Sequence, residues 1–335
     1  MSTRWQNEMA EAVRDPAELL DLLALDARWL EPARRAAATF TLRVPRGFVA
    51  RMRKGDPRDP LLRQVLPLEE ELAEVPGYGK DPVGDMPSIA AKGLLHKYQG
   101  RVLLIATGAC GVHCRYCFRR HFPYADETAR ADDWREALDY LRADASVNEV
   151  ILSGGDPLTL SDERLATFAK ALEGIPHIKR LRIHTRQPVV LPSRVDGPLL
   201  AWLSACTLQK VVVLHMNHAQ EMDAGLKEAC ARLKGTGATL LNQSVLLKGV
   251  NDSADALAGL SEALADAGVL PYYLSLLDPV AGAAHFDVSE TQGLAIMAEL
   301  RARLPGYLVP RLVREVPGAP AKMPVTGGRH VTEAD

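Results

Sequence analysis

Three cysteines lie close together in the sequence, at Cys110, Cys114 and Cys117, with the spacing C-x3-C-x2-C. The chain has only 5 cysteines in 335 residues, so three of them within one short segment indicate a shared purpose. Thiolates at such spacing bind zinc or hold iron–sulfur clusters. With three protein thiolates, one iron of a four-iron cluster stays open to a small molecule, which favours chemistry over simple electron transfer.

Zinc is the alternative occupant of this segment. A structural zinc ion takes four ligands, and His113 or His121 could supply the fourth. No second C-x2-C pair follows, however. The two remaining cysteines, Cys206 and Cys230, fall within or beside apolar helical segments and are predicted to be core residues.

The elements that position this segment alternate along the chain. Apolar, β-branched runs of the kind found in doubly covered parallel sheets begin at Arg101, Glu149, Arg180, Lys210, Ala238 and Leu270. Amphipathic helical segments lie between them. Six successive βα units predict an α/β fold, a partial (β/α)6 barrel, with a helical N-terminal subdomain. We place the subdomain and its Pro-rich connector at residues 1–93, the barrel at 94–316 and a C-terminal loop and tail at 317–335.

Polar residues mark the ends of these strands. In parallel α/β folds the carboxyl ends of the strands form the active site. Each residue alone could be ordinary loop polarity, but many at one edge predict a site. The set comprises Gly154, Gly155, Asp156, His184, Arg186, His215, Asn242, Gln243 and Asp278.

Composition excludes several function classes. With 40 basic and 42 acidic residues, the formal net charge is −2, which argues against a broad nucleic-acid-binding face. No apolar run reaches the length of about 18 residues that a membrane span needs, and the first residues lack the apolar core of a signal peptide. We therefore expect a cytoplasmic protein without nucleic-acid or membrane partners.

The cysteine spacing after a first β-strand resembles the radical S-adenosylmethionine (SAM) superfamily. Tyr116, before the third cysteine, strengthens the resemblance. So does the run Ser153-Gly154-Gly155-Asp156, which is similar to the glycine motif that contacts the SAM amino group in that superfamily. The resemblance implies a [4Fe–4S] cluster on Cys110, Cys114 and Cys117, whose open iron chelates SAM.

Four blocks narrow the resemblance to the lysine 2,3-aminomutase family, in order between residues 95 and 326. They are residues 114–120, 149–156, 186–192 and 242–252. That family also uses pyridoxal 5′-phosphate (PLP), and the resemblance implies Lys322 as its Schiff-base lysine. Part of the glycine run usual before that lysine is replaced here by alanine and proline, with the spacing kept.

The same resemblance implies roles for further residues. Arg101 would hold the PLP phosphate, with Tyr98 and Gln243 nearby, and His215 would contact SAM. Arg119 matches the arginine that binds the substrate carboxylate. Asp278 and Glu315 match the carboxylate pair that grips the distal ammonium group of L-lysine, although Glu315 is one methylene longer than the usual aspartate.

The branch of the family that serves elongation factor P is the closest resemblance. It is carried by residues 277–286 and by the lack of any cysteine after Cys230, which predicts no C-terminal zinc-linked assembly. The implied reaction moves the amino group of L-lysine from C2 to C3, giving (R)-β-lysine. The implied pathway partners are elongation factor P and its lysyl ligase, with a flavodoxin or ferredoxin as electron donor. The alternatives are a metabolic lysine 2,3-aminomutase that releases free β-lysine, and a non-enzymatic iron–sulfur or zinc protein.

Overall fold

One sheet organises the molecule. The computed structural model describes residues 3–128 and 134–327, and within these residues ten strands pair in the linear order β1 to β10. Strands β3 to β9 run parallel to one another, whereas β1, β2 and β10 join the sheet antiparallel. The strands are β1 (Ile89–Ala91), β2 (Leu94–Tyr98), β3 (Arg101–Thr107), β4 (Glu149–Gly154), β5 (Arg180–Thr185), β6 (Gln209–Leu214), β7 (Thr239–Val245), β8 (Leu270–Ser275), β9 (Arg311–Arg314) and β10 (Met323–Pro324).

Helices cover the parallel strands and form the N-terminal region. In the described part of the chain they are α1 (Arg4–Ala10), α2 (Pro16–Leu22), α3 (Leu30–Thr39), α4 (Arg46–Val49), α5 (Pro60–Arg63), α6 (Arg135–Ala143), α7 (Asp162–Glu173), α8 (Gln187–Val190), α9 (Gly197–Ala205), α10 (Ala224–Gly235), α11 (Ala254–Asp266) and α12 (Glu290–Arg303). Each strand from β3 to β8 is followed by a crossover helix. The predicted set of six βα units is therefore confirmed.

The sheet is longer than the sequence pattern predicted. Strands β1, β2, β9 and β10 were not expected, because each has five residues or fewer and none contains a long apolar run. No pairing between β1 and β10 is found among the described residues, so the barrel is open. The three-part division of the chain stays a prediction. Its boundaries fall between β1 and β2 and between β9 and β10, so both flanking parts add a strand to the sheet.

The barrel and the N-terminal region each have a hydrophobic core. The larger one fills the space between the sheet and its helices, and includes Leu104, Val150 and Phe168. Cys206 and Cys230 are buried in it, as predicted.

No helix within residues 3–128 and 134–327 combines the length and apolarity needed to cross a membrane.

The N-terminal helices have a core of their own that reaches into the barrel. It joins apolar side chains of α2, α4 and α5, such as Leu19, Phe48 and Leu61, to Val112 between the first two cysteines. It continues onto Val190 at the end of α8. The N-terminal region thus packs against the cysteine segment.

Candidate active site

A single cavity of about 550 Å³ lies on the inner face of the open barrel. Its volume is in the range of small-molecule and cofactor sites. It begins at the carboxyl ends of the strands and continues inward along them to Arg101, the first residue of β3. The residues whose roles the family resemblance implies all line it: Tyr98, Arg101, Cys110, Cys114, Cys117, Arg119, Ser153, Gly154, Gly155, Asp156, His215, Gln243, Asp278, Glu315 and Lys322. Of the polar residues expected at the strand ends, Asn242 does not line it, and its side chain bonds the backbone of Met216 instead.

The cysteine end of the cavity is the loop after β3. Cys110, Cys114 and Cys117 are free thiols that are neither fully exposed nor fully buried. Burial raises the pKa of Cys117 to about 11 and that of Cys110 well above its ordinary value. Both are therefore neutral thiols at pH 7 without a metal, and metal binding must release their protons.

The three cysteines supply the donors that an iron–sulfur cluster takes. A [4Fe–4S] cluster is held by Cys thiolates, one on each iron. These residues thus suit a cluster with three protein ligands and one open iron.

The backbone of the cysteine loop is anchored by buried arginines. Arg115 is fully buried and donates through Nε to Glu71 at 2.8 Å. Arg120 donates to the same carboxylate at 2.8 Å. Arg115 also donates to the carbonyl of Phe40, at the end of α3. The loop between the second and third cysteines is therefore anchored to the N-terminal region.

The glycine turn after β4 lies directly against the start of the cysteine loop. Gly154 has φ +110°, a conformation that favours glycine. A Cβ on Gly155 would lie 2.4 Å from the carbonyl oxygen of Ala109. Only glycine fits at this approach, so the turn packs directly against the backbone that leads into Cys110.

Asp156 lines the cavity, but its carboxylate is fully used within the protein. One oxygen accepts from the Leu158 amide at 3.0 Å and the Thr185 hydroxyl at 2.7 Å. The other accepts from the amides of Arg186 at 2.7 Å and Gln187 at 2.8 Å. Asp156 therefore fixes the turn after β5 in position.

Buried polar atoms without partners mark the middle of the cavity. They are Nε2 of His184, Nε2 of His215, Oε1 of Gln243 and Oγ of Ser275. Buried polar atoms in proteins normally have partners, so this group indicates a polar ligand. Burial, and then the charges of Arg186 and Lys322, lower the pKa of His215 to about 4. Its imidazole is therefore neutral at pH 7.

Charged groups dominate the other end of the cavity, near Lys322. The Lys322 ammonium lies 3.2 Å from Glu315, which also accepts a hydrogen bond from the Tyr98 hydroxyl. Asp278 lies partly buried beside them, and this burial raises the pKa of its carboxyl group to about 6. Lys322, Glu315 and Asp278 thus form a lysine–carboxylate group at this end.

Two residues here were missed by the sequence analysis, Asp85 and Lys97. Asp85 accepts from Nε of Arg119 at 2.6 Å, and the Lys97 ammonium lies 2.6 Å from its other oxygen. Lys97 also lies 3.9 Å from Glu315. Arg119 donates to the Ser153 hydroxyl at 3.1 Å as well. No spacing pattern could reveal Asp85, because it lies in the irregular connector 34 residues before Arg119.

Arg101 differs from the other arginines of the cavity. Its guanidinium lies over the ring of Tyr98, at 4.5 Å from the centroid. Within residues 3–128 and 134–327 no carboxylate forms an ion pair with it, while Arg119, Arg120, Arg182 and Arg186 are all paired. A cation that faces a cavity without a counter-ion is suited to a phosphate group.

Comparisons with known proteins agree with this geometry. The model of the Radical SAM superfamily matches residues 104–197, from within β3 to the start of α9. The L-lysine 2,3-aminomutase of Escherichia coli (strain K12) is 51% identical over 322 residues, which are 96% of this chain and 94% of that protein.

Two further relatives carry the same name. The L-lysine 2,3-aminomutase of Haemophilus influenzae is 46% identical, over 95% of this chain and 94% of that protein. That of Acetoanaerobium sticklandii is 33% identical, over 96% of this chain and 78% of that protein. Membership of the superfamily implies a [4Fe–4S] cluster and SAM, which the cysteine end of the cavity suits. The chain belongs to the lysine 2,3-aminomutase family of radical SAM enzymes and is an isomerase of the intramolecular aminomutase class.

Proposed function

We propose that this enzyme converts L-lysine to (R)-β-lysine with PLP as its second cofactor, and that Lys322 binds the PLP. The observation that carries the proposal is that three sets of groups line one cavity. They are the three cysteines, the partnerless polar atoms, and the cluster of Lys322, Glu315 and Asp278. A radical generated at the cysteine end and an amino acid held at the lysine end would share one enclosed space.

The support for PLP comes from Lys322 and Arg101. Lys322 supplies a primary amine, and Arg101 supplies a cation without a counter-ion in the described residues. Gln243, with its partnerless Oε1, lies on the same cavity wall. When bound, PLP supplies a conjugated ring that delocalises an unpaired electron and carries the amino nitrogen between carbons.

Arg119 is suited to bind the substrate carboxylate. Its Nε is engaged by Asp85 and one Nη1 proton by Ser153. The remaining donors, on Nη1 and Nη2, can face a carboxylate in the bidentate geometry that arginine favours. Asp85 and Ser153 thereby orient the guanidinium without occupying its outer edge.

Asp278 and Glu315 are suited to bind the distal ammonium group of lysine. The Lys322 ammonium, which is the same chemical group, already lies 3.2 Å from Glu315. If Lys322 binds PLP, its ammonium charge no longer lies beside Asp278 and Glu315. The ammonium group of the substrate can then take its place. A substrate with a neutral or anionic side chain would leave two partly buried carboxylates without a counter-ion, which is unfavourable.

The protein also shields the reaction from water and oxygen. The inner face is partly apolar, with Leu103, Ile151 and Val245 between the polar groups. The connector and the C-terminal loop come close together, because a Cβ on Gly84 would lie 3.3 Å from the Cβ of Pro317. Fixed donors in an enclosed site position the reacting groups and exclude solvent from radicals.

We propose further that the β-lysine produced is destined for elongation factor P, through its lysyl ligase. The support is the resemblance of residues 277–286 to the branch that serves this factor. The metabolic role, release of free β-lysine, is the second candidate. Cytoplasmic location and a flavodoxin or ferredoxin reductant stay predictions.

The decisive assay is anaerobic. The enzyme is reconstituted with iron, sulfide and PLP, then given SAM, a reductant and L-lysine, with L-glutamate and L-ornithine as alternative substrates. We expect (R)-β-lysine from L-lysine and no product from L-glutamate. Absence of both β-lysine and 5′-deoxyadenosine would contradict the proposal. For the pathway, the product is offered to the ligase with elongation factor P, and failure of transfer would favour the metabolic role.

A further inference from the structure

Arg186, just after β5, makes a contact that the aminomutase reaction does not explain. Its Nη1 lies 2.9 Å from the sulfur of Cys114, in hydrogen-bonding geometry. The same nitrogen donates to the hydroxyl of Tyr116. No other hydrogen bond from a charged side chain to Cys110, Cys114 or Cys117 is found within residues 3–128 and 134–327. A permanent cation therefore touches one cluster ligand selectively.

The arginine is held in place from three sides. Its Nη2 donates to Gln64 at 2.7 Å and to Glu221 at 3.0 Å, and both of these residues are fully buried. Its backbone amide donates to Asp156 at 2.7 Å. Gln64 comes just after α5 in the N-terminal region, and it also donates to Glu221 at 3.2 Å. Gln64 and Glu221 thus fix the direction of the guanidinium, and Asp156 fixes the backbone that carries it.

Glu221 does not simply cancel the charge of Arg186. Its Oε1 accepts from the backbone amides of Asn217 at 2.9 Å and His218 at 3.1 Å. Only its Oε2 accepts from Arg186. The carboxylate lies on the side of the guanidinium that carries Nη2, while Cys114 lies on the side of Nη1. The positive charge therefore acts on the sulfur more directly than its counter-ion does.

We propose that Arg186 raises the reduction potential of the iron–sulfur cluster by donating a charge-assisted hydrogen bond to the Cys114 sulfur, and that Gln64 and Glu221 position it. Hydrogen bonds to ligand sulfurs and nearby charge are main determinants of cluster potential. Reduction adds one negative charge to the cluster and its thiolates. A fixed cation at one thiolate stabilises that added charge and makes the cluster easier to reduce.

The test is a redox titration of the reconstituted enzyme without lysine, followed by visible absorbance and electron paramagnetic resonance. Removing the cation in Arg186→Gln should shift the midpoint potential to more negative values. Removing the counter-ion in Glu221→Gln should shift it to more positive values. Arg194→Gln is the matched control, because Arg194 is equally buried and ion-paired, to Asp162, without touching a cysteine. Its midpoint potential should equal that of the unaltered enzyme.

An Arg186→Gln protein that holds a full cluster at an unchanged or more positive potential would overturn the proposal. If this variant fails to hold a cluster, Glu221→Gln decides, and an unchanged or more negative potential there overturns it. SAM cleavage gives a second readout. Arg186→Gln should be defective with a weak reductant and should recover with a strongly reducing titanium(III) complex. Neither readout depends on lysine, so this proposal can fail while the proposed function stands.

Discussion

The two ends of the cavity are built in different ways. At the cysteine end, the three cysteines come from one loop, and the buried carboxylate of Glu71 anchors that loop through Arg115 and Arg120. At the lysine end, the charged groups come from distant segments. The Tyr98 hydroxyl, for example, donates to Glu315, 217 residues away in the sequence.

This difference determines which parts of an active site can be recognised from the spacing of residues in a short stretch of sequence. A cluster needs several thiolates at short spacing, so its ligands form a readable motif. A substrate pocket needs charges at fixed points in space, which the fold can supply from anywhere.

The largest effect is expected from a substitution at the cysteine end of the cavity. Cys114→Ser removes a cluster ligand and the acceptor of the Arg186 hydrogen bond, so 5′-deoxyadenosine formation should fall to background. PLP binding at the lysine end should be unchanged, as judged by visible absorbance. Wild-type rates of SAM cleavage in this variant would show that the cluster lies elsewhere.

Lys322→Ala is the corresponding change at the lysine end. The visible band of lysine-bound PLP should disappear, and β-lysine formation should fall to near background because the amine that binds PLP is lost. Iron content and the electron paramagnetic resonance signal of the reduced cluster should match those of the unaltered protein. An unchanged PLP band would move the PLP site to another lysine.

Glu71→Gln tests whether the N-terminal region stabilises the cysteine end of the cavity. Removing one partner of a buried ion pair costs about 3–5 kcal/mol, so the free energy of unfolding in urea should fall by that order and cluster retention should drop. The control is Glu69→Gln, because the Arg35–Glu69 pair is 52% and 58% exposed and should contribute about 0–1 kcal/mol. Equal effects of the two variants would refute the anchoring role of Glu71.

The smallest effect concerns Asp278 at the lysine end. Losing a hydrogen bond to a charged group costs about 1.5–3 kcal/mol, so Asp278→Asn should raise the KM for L-lysine about 10-fold to 100-fold. Iron content should not change. A KM within twofold of the original would exclude Asp278 from ammonium binding.

The pH dependence follows from the raised pKa of Asp278, about 6 with Lys322 as a free ammonium group beside it. Binding of Lys322 to PLP removes that charge, so the pKa in the loaded enzyme should lie at or above this value. Only the charged carboxylate attracts an ammonium group, so kcat/KM for L-lysine should fall as pH drops towards 6. Asp278→Asn should lose this inflection, and persistence of the inflection would assign it to another group.

Much of the barrel could be predicted from the sequence. Six apolar, β-branched runs predicted six parallel strands, because the face of each strand that packs against the helices is apolar. The opposite face of strands such as β5 and β7 is less buried and lines the cavity. Strand β9, with only four residues, was missed because so short a segment carries no such signal. It forms because β8 offers a free parallel edge, which is a property of the fold.

The candidate site was predicted unevenly for the same reason. Cysteines and glycines have few structural substitutes, so their spacing predicted the cysteine end. Asp85 and Lys97 are ordinary charged residues in an irregular connector and a short strand. Only the folded chain brings them to Arg119 and Glu315.

The proposed function requires that a radical made at one end of the cavity reacts with lysine held at the other. The most direct measurement uses L-lysine carrying deuterium at C3, incubated anaerobically with the reconstituted enzyme, PLP, SAM and reductant. The account predicts that deuterium enters the 5′ carbon of SAM and then C2 of β-lysine. Formation of β-lysine with no deuterium in SAM would contradict it.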